Sequence, residues 1–193
     1  MLDKIKELRE STGLGMMACK AALEEAGGDV EKAIDILRKK GAIKAAGRSE
    51  RETKEGTIGV YLHSNNKVAT MVKLASETDF VARNEVFVEF AKDLAMHVAA
   101  SNPRYVDPSE VSEEDLAKEK EIYMEQLKAE GKKEDMIEKI VEAKLKKFAE
   151  ESALLKQPFV KDPSKTIEDL VRDMNNKMGE NVHIVSFVRY QIG

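Results

Sequence analysis

The spacing of apolar residues changes period at about residue 56, and that change limits the folds open to the chain. Before it, apolar residues recur at helical spacing: Leu2, Ile5 and Leu8, then Met16, Cys19, Leu23 and Ala26, then Val30, Ala33, Ile34 and Leu37. After it the period is two. Ile58, Val60 and Leu62 alternate with Gly59, Tyr61 and His63, and Val68, Thr70, Val72 and Leu74 alternate with Ala69, Met71 and Lys73. The first pattern predicts amphipathic helices and the second half-buried strands. Between the two strand runs lies Ser64-Asn65-Asn66-Lys67. Asparagine tolerates positive φ, so a tight hairpin turn is expected there. A third strand run follows much later, at residues 182–190, VHIVSFVRY. Three strands among many helical segments predict an α+β fold, a three-stranded antiparallel sheet with helices packed on it.

Turn and cap residues set the boundaries. Residues 1–41 read as three short helices, broken at STGLG and at Gly27-Gly28 and ended by Gly41. Asp29 is the expected N-cap of the third. This is the three-helix plan of ubiquitin-associated (UBA) domains, with a core too small to be more than marginal alone. Residues 42–55 are charged and poor in large apolar groups, and read as a linker to a core domain of 56–193. Within that core, Asn84 is placed to cap a helix carrying Phe87, Phe90, Ala91, Leu94 and Val98, closed by Asn102-Pro103. Residues 112–130 and 134–151 carry thin apolar stripes on either side of Gly131, which predicts an antiparallel αα-hairpin. Gln157-Pro158-Phe159-Val160 reads as loop or extended chain, and Thr166 as the cap of a helix to about Met178, stopped by Gly179.

Composition narrows the function. Charged residues make up 35% of the 193 residues yet sum to only −4. A phosphate-binding domain usually carries a basic excess, so nucleic acid is not the expected main partner. The single cysteine, Cys19, allows no internal disulfide and no multi-cysteine metal site, which suits a reducing, cytoplasmic setting. No apolar run approaches the ~20 residues that span a bilayer, and the N-terminus, charged from its third residue, does not read as a signal. Phosphate-loop, dinucleotide and zinc-protease motifs are absent. His63, His97 and His183 are scattered, and nothing pairs a nucleophile with its base. The residues alone give no positive evidence for catalysis, which leaves open a site assembled from residues distant in sequence.

The segment SETDFVARN, residues 76–84, joins the second strand run to the Phe87 helix and sets Asp79 beside Phe80. On the residues alone, Phe80 is core at the sheet–helix junction and Asp79 a cap for the turn. Met16 and Met17 sit about 100° apart on a helix, so one buried and one exposed is the plain expectation. Cys19 falls on the packed face, Lys20 in solvent, and His97 at a core edge. Lys44 and Arg48 in the linker read as solvated charges.

LRESTGLGMMACKAALEEAGGDVEKAIDILRKKG at 8–41 resembles the N-terminal module of the bacterial elongation factor Ts family. The resemblance continues in order through EGTIGVYLH, ETDFVARNEVF, AMHVAASNPRYV and LLKQPFVKDPSKTIEDL to a final strand ending FVRYQIG. It covers nearly the whole chain, departing from the usual pattern at Lys73 and at Ala75-Ser76. It implies a guanine-nucleotide exchange factor for elongation factor Tu, the GTPase that carries aminoacyl-tRNA. It also implies that Phe80 is exposed and inserts between helices of that GTPase, with Asp79 beside it and Thr78 and Val81 flanking in the same motif. Arg9, Met16 and Met17 would meet the nucleotide-binding domain, and His97 would belong to a further contact. Longer members carry two copies of the core sub-unit, whereas short ones pair with themselves, so a homodimer in a 2:2 complex is implied. Three rival readings remain on the residues alone. They are a UBA-like interaction module without exchange activity, a hydrolase using Asp79 with His97 or His183, and RNA binding through 38–54.

Overall fold

The computed structural model describes residues 2–12, 16–37, 39 and 51–193. The expected breaks at 13–15 and Gly41, and most of the linker with Lys44 and Arg48, lie outside them. The described chain is mixed helix and strand, as its two apolar periods require. Helices α1 (Leu2–Thr12), α2 (Met16–Glu25) and α3 (30–37) come first. Strands β1 (Glu55–Leu62) and β2 (Val68–Ser76) lead into a short α4 (Asp79–Ala82) and the long α5 (Glu85–Ser101). Helices α6 (Glu113–Ala129) and α7 (Glu134–Ser152) precede strands β3 (Pro158–Phe159) and β4 (Asp162–Thr166), helix α8 (Ile167–Met178) and strand β5 (His183–Gln191).

The main sheet runs β1-β2-β5. His63 N–H donates to the Val68 carbonyl at 2.9 Å and closes the β1–β2 hairpin, in which Asn66 takes φ 56°. Ile192 N–H donates to the Lys67 carbonyl at 2.9 Å, so the end of β5 meets the start of β2 and the sheet is antiparallel. Three strands were expected. The structure adds a second, two-stranded sheet in which β3 pairs antiparallel with β4 across an irregular register. Neither strand carries a readable period: β3 is two residues long and β4, DPSKT, has no apolar alternation.

By contact density the described chain forms two compact units. One comprises Met1–Thr57, Leu74–Val88 and Leu170–His183. In it, α1, α2 and α3 bury Ile5, Leu8, Cys19, Ala22, Leu23, Ala33 and Leu37 in one cluster. Gly27 and Gly28, at φ 64° and 82°, turn the chain between α2 and α3. Asp29 then accepts the Lys32 N–H at 3.2 Å, and this bond to the backbone holds its carboxyl below the ordinary value. Leu2, which the helical spacing grouped with Ile5 and Leu8, is exposed instead.

The second unit comprises Ile58–Lys73, Glu89–Asp169 and Ile184–Gly193. Here the sheet lies against α5. Thr70 donates its hydroxyl to the Ala95 carbonyl at 2.6 Å, satisfying a buried polar group against a helix carbonyl. Arg189 Nε donates to the Ala99 carbonyl at 3.2 Å. The odd residues of β1 face α5, so Ile58, Val60 and Leu62 face away from it, and all three are exposed. Ser112 caps α6, accepting the Asp115 N–H. The Asp115 carboxyl takes hydrogen bonds from Tyr105, Ser112 and Arg104, which lower its pKa to about 2. Leu127, Ile137 and Val141 form a small buried cluster between α6 and α7. Thr166 caps α8 reciprocally. Its hydroxyl accepts the Asp169 N–H at 3.2 Å while the Asp169 carboxylate accepts the Thr166 N–H at 3.0 Å.

Candidate functional site

Alternation along β2 buries Thr70, Val72 and Leu74, and the strand ends at Ser76 with the chain still in the interior. Two residues later it must turn into a helix, and the turn is built from hydrogen bonds. Ser76 donates its hydroxyl to the Thr78 carbonyl at 3.1 Å. Thr78 is the N-cap of α4, with φ −123° and ψ 157°, and its hydroxyl oxygen accepts the Val81 N–H at 3.5 Å. Asp79 is therefore not the cap that the residues alone suggested. The position before it takes that role, because Thr78 has the extended backbone that a cap needs. Asp79 sits in the first turn and pairs with Arg83, Nη2 to Oδ2 at 3.5 Å. The pair is largely solvated and contributes little.

α4 has only four residues, so each points in its own direction. Ala82 is buried and Val81 half-buried, which anchors the turn. Phe80 points outward and is 84% exposed. An aromatic ring usually buries its large apolar area in the core. Here the capped turn holds that ring in water, beside the Asp79 carboxylate. Asn84 then starts α5, its side-chain carbonyl accepting the Val86 N–H at 3.0 Å.

Two distant segments brace this turn, and nothing in the local sequence pattern announced them. The Glu180 carboxylate accepts the N–H groups of Glu77 and Thr78, each at 3.1 Å, and the Thr78 hydroxyl at 2.6 Å. In return the Glu77 carboxylate accepts the Asn181 N–H at 2.6 Å. It also pairs with Arg51 at 3.4 Å, and the Asn181 amide donates to the Arg51 carbonyl at 2.9 Å.

The other expected site residues divide. Arg9 lies exposed in the last turn of α1. Met16 and Met17, the first two residues of α2, are 47% and 77% exposed. Both methionines thus face outward, rather than one in and one out, because Cys19, Ala22 and Leu23 supply the buried face of α2. His97 differs from the rest: it is fully buried. Its Nδ1 accepts the Val160 N–H at 3.2 Å, and its Nε2 lies 3.1 Å from the Gln157 side-chain carbonyl. An acceptor at Nδ1 leaves the proton on Nε2, so the ring is neutral, and burial lowers its pKa. Both nitrogens are engaged within the chain, so His97 offers neither a surface contact nor a free base. Among the described residues, no group of three or more His, Cys, Asp or Glu side chains could hold a metal ion. No described helix is long and apolar enough to cross a membrane.

The comparisons with known proteins agree with one another. The family model described as elongation factor TS matches residues 17–193. The chain is 53% identical over 189 residues to elongation factor Ts of Thermosipho melanesiensis, covering 98% of this chain and 96% of that protein. It is similar at 53% to elongation factor Ts of Nitratidesulfovibrio vulgaris and at 54% to that of Thermodesulfovibrio yellowstonii, each over 189 residues, 98% of this chain and 94% of theirs.

Proposed function

Because the chain belongs to the elongation factor Ts family, we propose that it is the guanine-nucleotide exchange factor for elongation factor Tu and that Phe80 is its wedge. The observation that carries this reading is the 84% exposure of Phe80 at the head of a capped turn. Mg²⁺ in a GTPase bridges phosphate oxygens and demands near-ideal octahedral geometry. A ring driven between the helices that support the metal displaces them and loosens metal and phosphate together. Burying one phenylalanine is worth roughly 1.5–3 kcal/mol, enough to hold a strained partner open. Asp79 enters beside the ring and competes for polar groups or repels the anionic cluster, with Thr78 and Val81 fixing the approach. Arg9, Met16 and Met17 form a second handle on the nucleotide-binding domain, and exposed methionines suit an adaptable apolar contact.

Reciprocity follows. If the factor weakens nucleotide binding, nucleotide weakens factor binding by the same amount. Both GDP and GTP then release the factor, and exchange needs no covalent step and no cofactor. In this reading α1–α3 form a UBA-like module of residues 1–41, joined by 42–55 to a core of 56–193, and α6–α7 form an antiparallel helical hairpin within it. The factor works in the cytoplasm, away from membranes.

The assembly in this reading is a homodimer binding two GTPase molecules. The sheet face turned away from α5 supports it. Ile58, Val60, Leu62 and Met71 are all exposed there, and Val188 and Tyr190 join them because Arg189 between them reaches α5. A lone soluble domain rarely leaves so many apolar side chains uncovered on one sheet face, and the one outward charge on β2 there is Lys73.

The decisive experiment is GDP release from elongation factor Tu, with wild type compared against Phe80→Ala and Asp79→Ala. Loss of stimulation with an intact fold supports the wedge. Unchanged stimulation by Phe80→Ala removes it.

A further inference from the structure

We infer that Glu180 is a positioning residue for exchange, a latch that holds Phe80 in the attitude its wedge needs. The inference rests on the exchange reading above and names a residue which that reading does not require. Glu180 sits just beyond α8 and before β5, in a segment with no regular structure. Its carboxylate takes three donors from the turn: both N–H groups of the Glu77-Thr78 step and the Thr78 hydroxyl. That step lies outside β2 and outside α4, so neither ladder nor helix bonds occupy its N–H groups. Hydrogen bonds to an ionised carboxylate are roughly twice as strong as neutral ones. The Thr78 hydroxyl is fixed from both sides, donating to Glu180 while accepting from Val81. Glu180 therefore sets the cap, the cap sets α4, and α4 sets the ring.

The exchange of carboxylates makes the latch two-way. Glu77 grips Asn181 while Glu180 grips Glu77 and Thr78, and Arg51 touches both Glu77 and Asn181. Two separate stretches of chain, at Arg51 and at Glu180-Asn181, converge on the turn. Glu77 and Glu180 are half-buried and Asn181 is buried, whereas Phe80 is 84% exposed, so the effect of Glu180 on a partner passes through the turn and its ring. A wedge is useful only if its orientation is settled before contact, since ordering it on the partner consumes binding energy that would otherwise deform the site. Displacements near 1 Å are enough to matter at this kind of contact.

The test is a double-mutant cycle between Glu180→Ala and Phe80→Ala, reading stimulated GDP release by the factor. Glu180→Ala alone is expected to slow release about tenfold. In the Phe80→Ala background the same change is expected to cost less than about twofold, because a latch without a ring has nothing to aim. Glu180→Gln keeps a carbonyl for the two N–H groups and is expected to stay within about threefold of wild type. An equal tenfold loss in both backgrounds, or no loss in the wild-type background, overturns the latch. Amide hydrogen exchange at Glu77 and Thr78 is read on the free factor and does not depend on the GTPase. Protection at both positions is expected to fall in Glu180→Ala and to persist in Glu180→Gln; unchanged protection in Glu180→Ala overturns the latch. If Phe80→Ala alone leaves release untouched, the wedge reading fails, and the exchange measurement still decides whether Glu180 holds the turn.

Discussion

A Cβ placed on Gly59 of β1 would lie 2.0 Å from the carbonyl oxygen of Ala91 in α5. No side chain fits there, so this close approach of helix to sheet is licensed by the absence of one. The atoms in the way are backbone and cannot swing aside. Gly59→Ala is expected to destabilise the fold by about 3 kcal/mol or more, as severe overpacking does. Urea unfolding of the variant measures it, and a loss below about 1 kcal/mol contradicts the close contact.

Phe80→Ala is expected to do the opposite. The ring is exposed, so its removal costs the factor's own stability less than about 0.5 kcal/mol. If the ring's burial in the GTPase is worth roughly 1.5–3 kcal/mol, GDP release slows about ten- to hundredfold. Thermal unfolding and a fluorescent-GDP chase separate the two effects.

His97 supplies a pH dependence. Burial lowers its pKa from the ordinary 6.5, so the folded chain resists a proton that the unfolded chain accepts. The unfolded state then binds more protons below about 6.5, and stability falls as pH falls from there toward the lowered folded value. Above that window the contribution is complete. His97→Asn is expected to be less stable at neutral pH, through loss of the Gln157 and Val160 bonds, yet to show a shallower decline between about pH 7 and 5. Melting temperature against pH for both proteins checks the slope. Parallel curves would show that His97 does not titrate in this way.

The outer face of β1 predicts the assembly. Val60→Lys places a charge at the centre of the Ile58-Val60-Leu62 stripe without touching the α5 side. Sedimentation velocity is expected to show wild type as a dimer and the variant as a monomer with the same fold. A dimer that survives the substitution puts the contact elsewhere.

How much of this was legible in the residues depended on distance along the chain. Features set within a few positions read directly. Asn66 takes its positive φ in the hairpin, Asn84 and Thr166 cap their helices, and Gly179 follows α8 at φ 77°. The apolar periods located the longer helices and the three long strands for the same reason, while four-residue α4 is too short to show one. Two-residue β3 gave no period to detect. The exposure of Phe80 was not readable from spacing, because an aromatic after a buried strand has the pattern of core. Only resemblance argued otherwise. His97 shows the converse, a residue whose family resemblance pointed outward while its own spacing beside Leu94 and Val98 pointed inward, where it lies. Glu180 and Glu77 escaped notice because two carboxylates about a hundred positions apart look like surface charge until folding brings backbone donors to each.

The hydrogen bond from Asn181 to Glu77 spans 104 positions of chain. A ribosome making this protein finishes the Phe80 turn about a hundred residues before it translates the segment that braces it. Copies cut short before that segment carry the ring without its brace. On the exchange reading proposed above, translation past Asn181 thereby becomes a condition for a seated wedge, and fragments stopped before it would not compete for the GTPase.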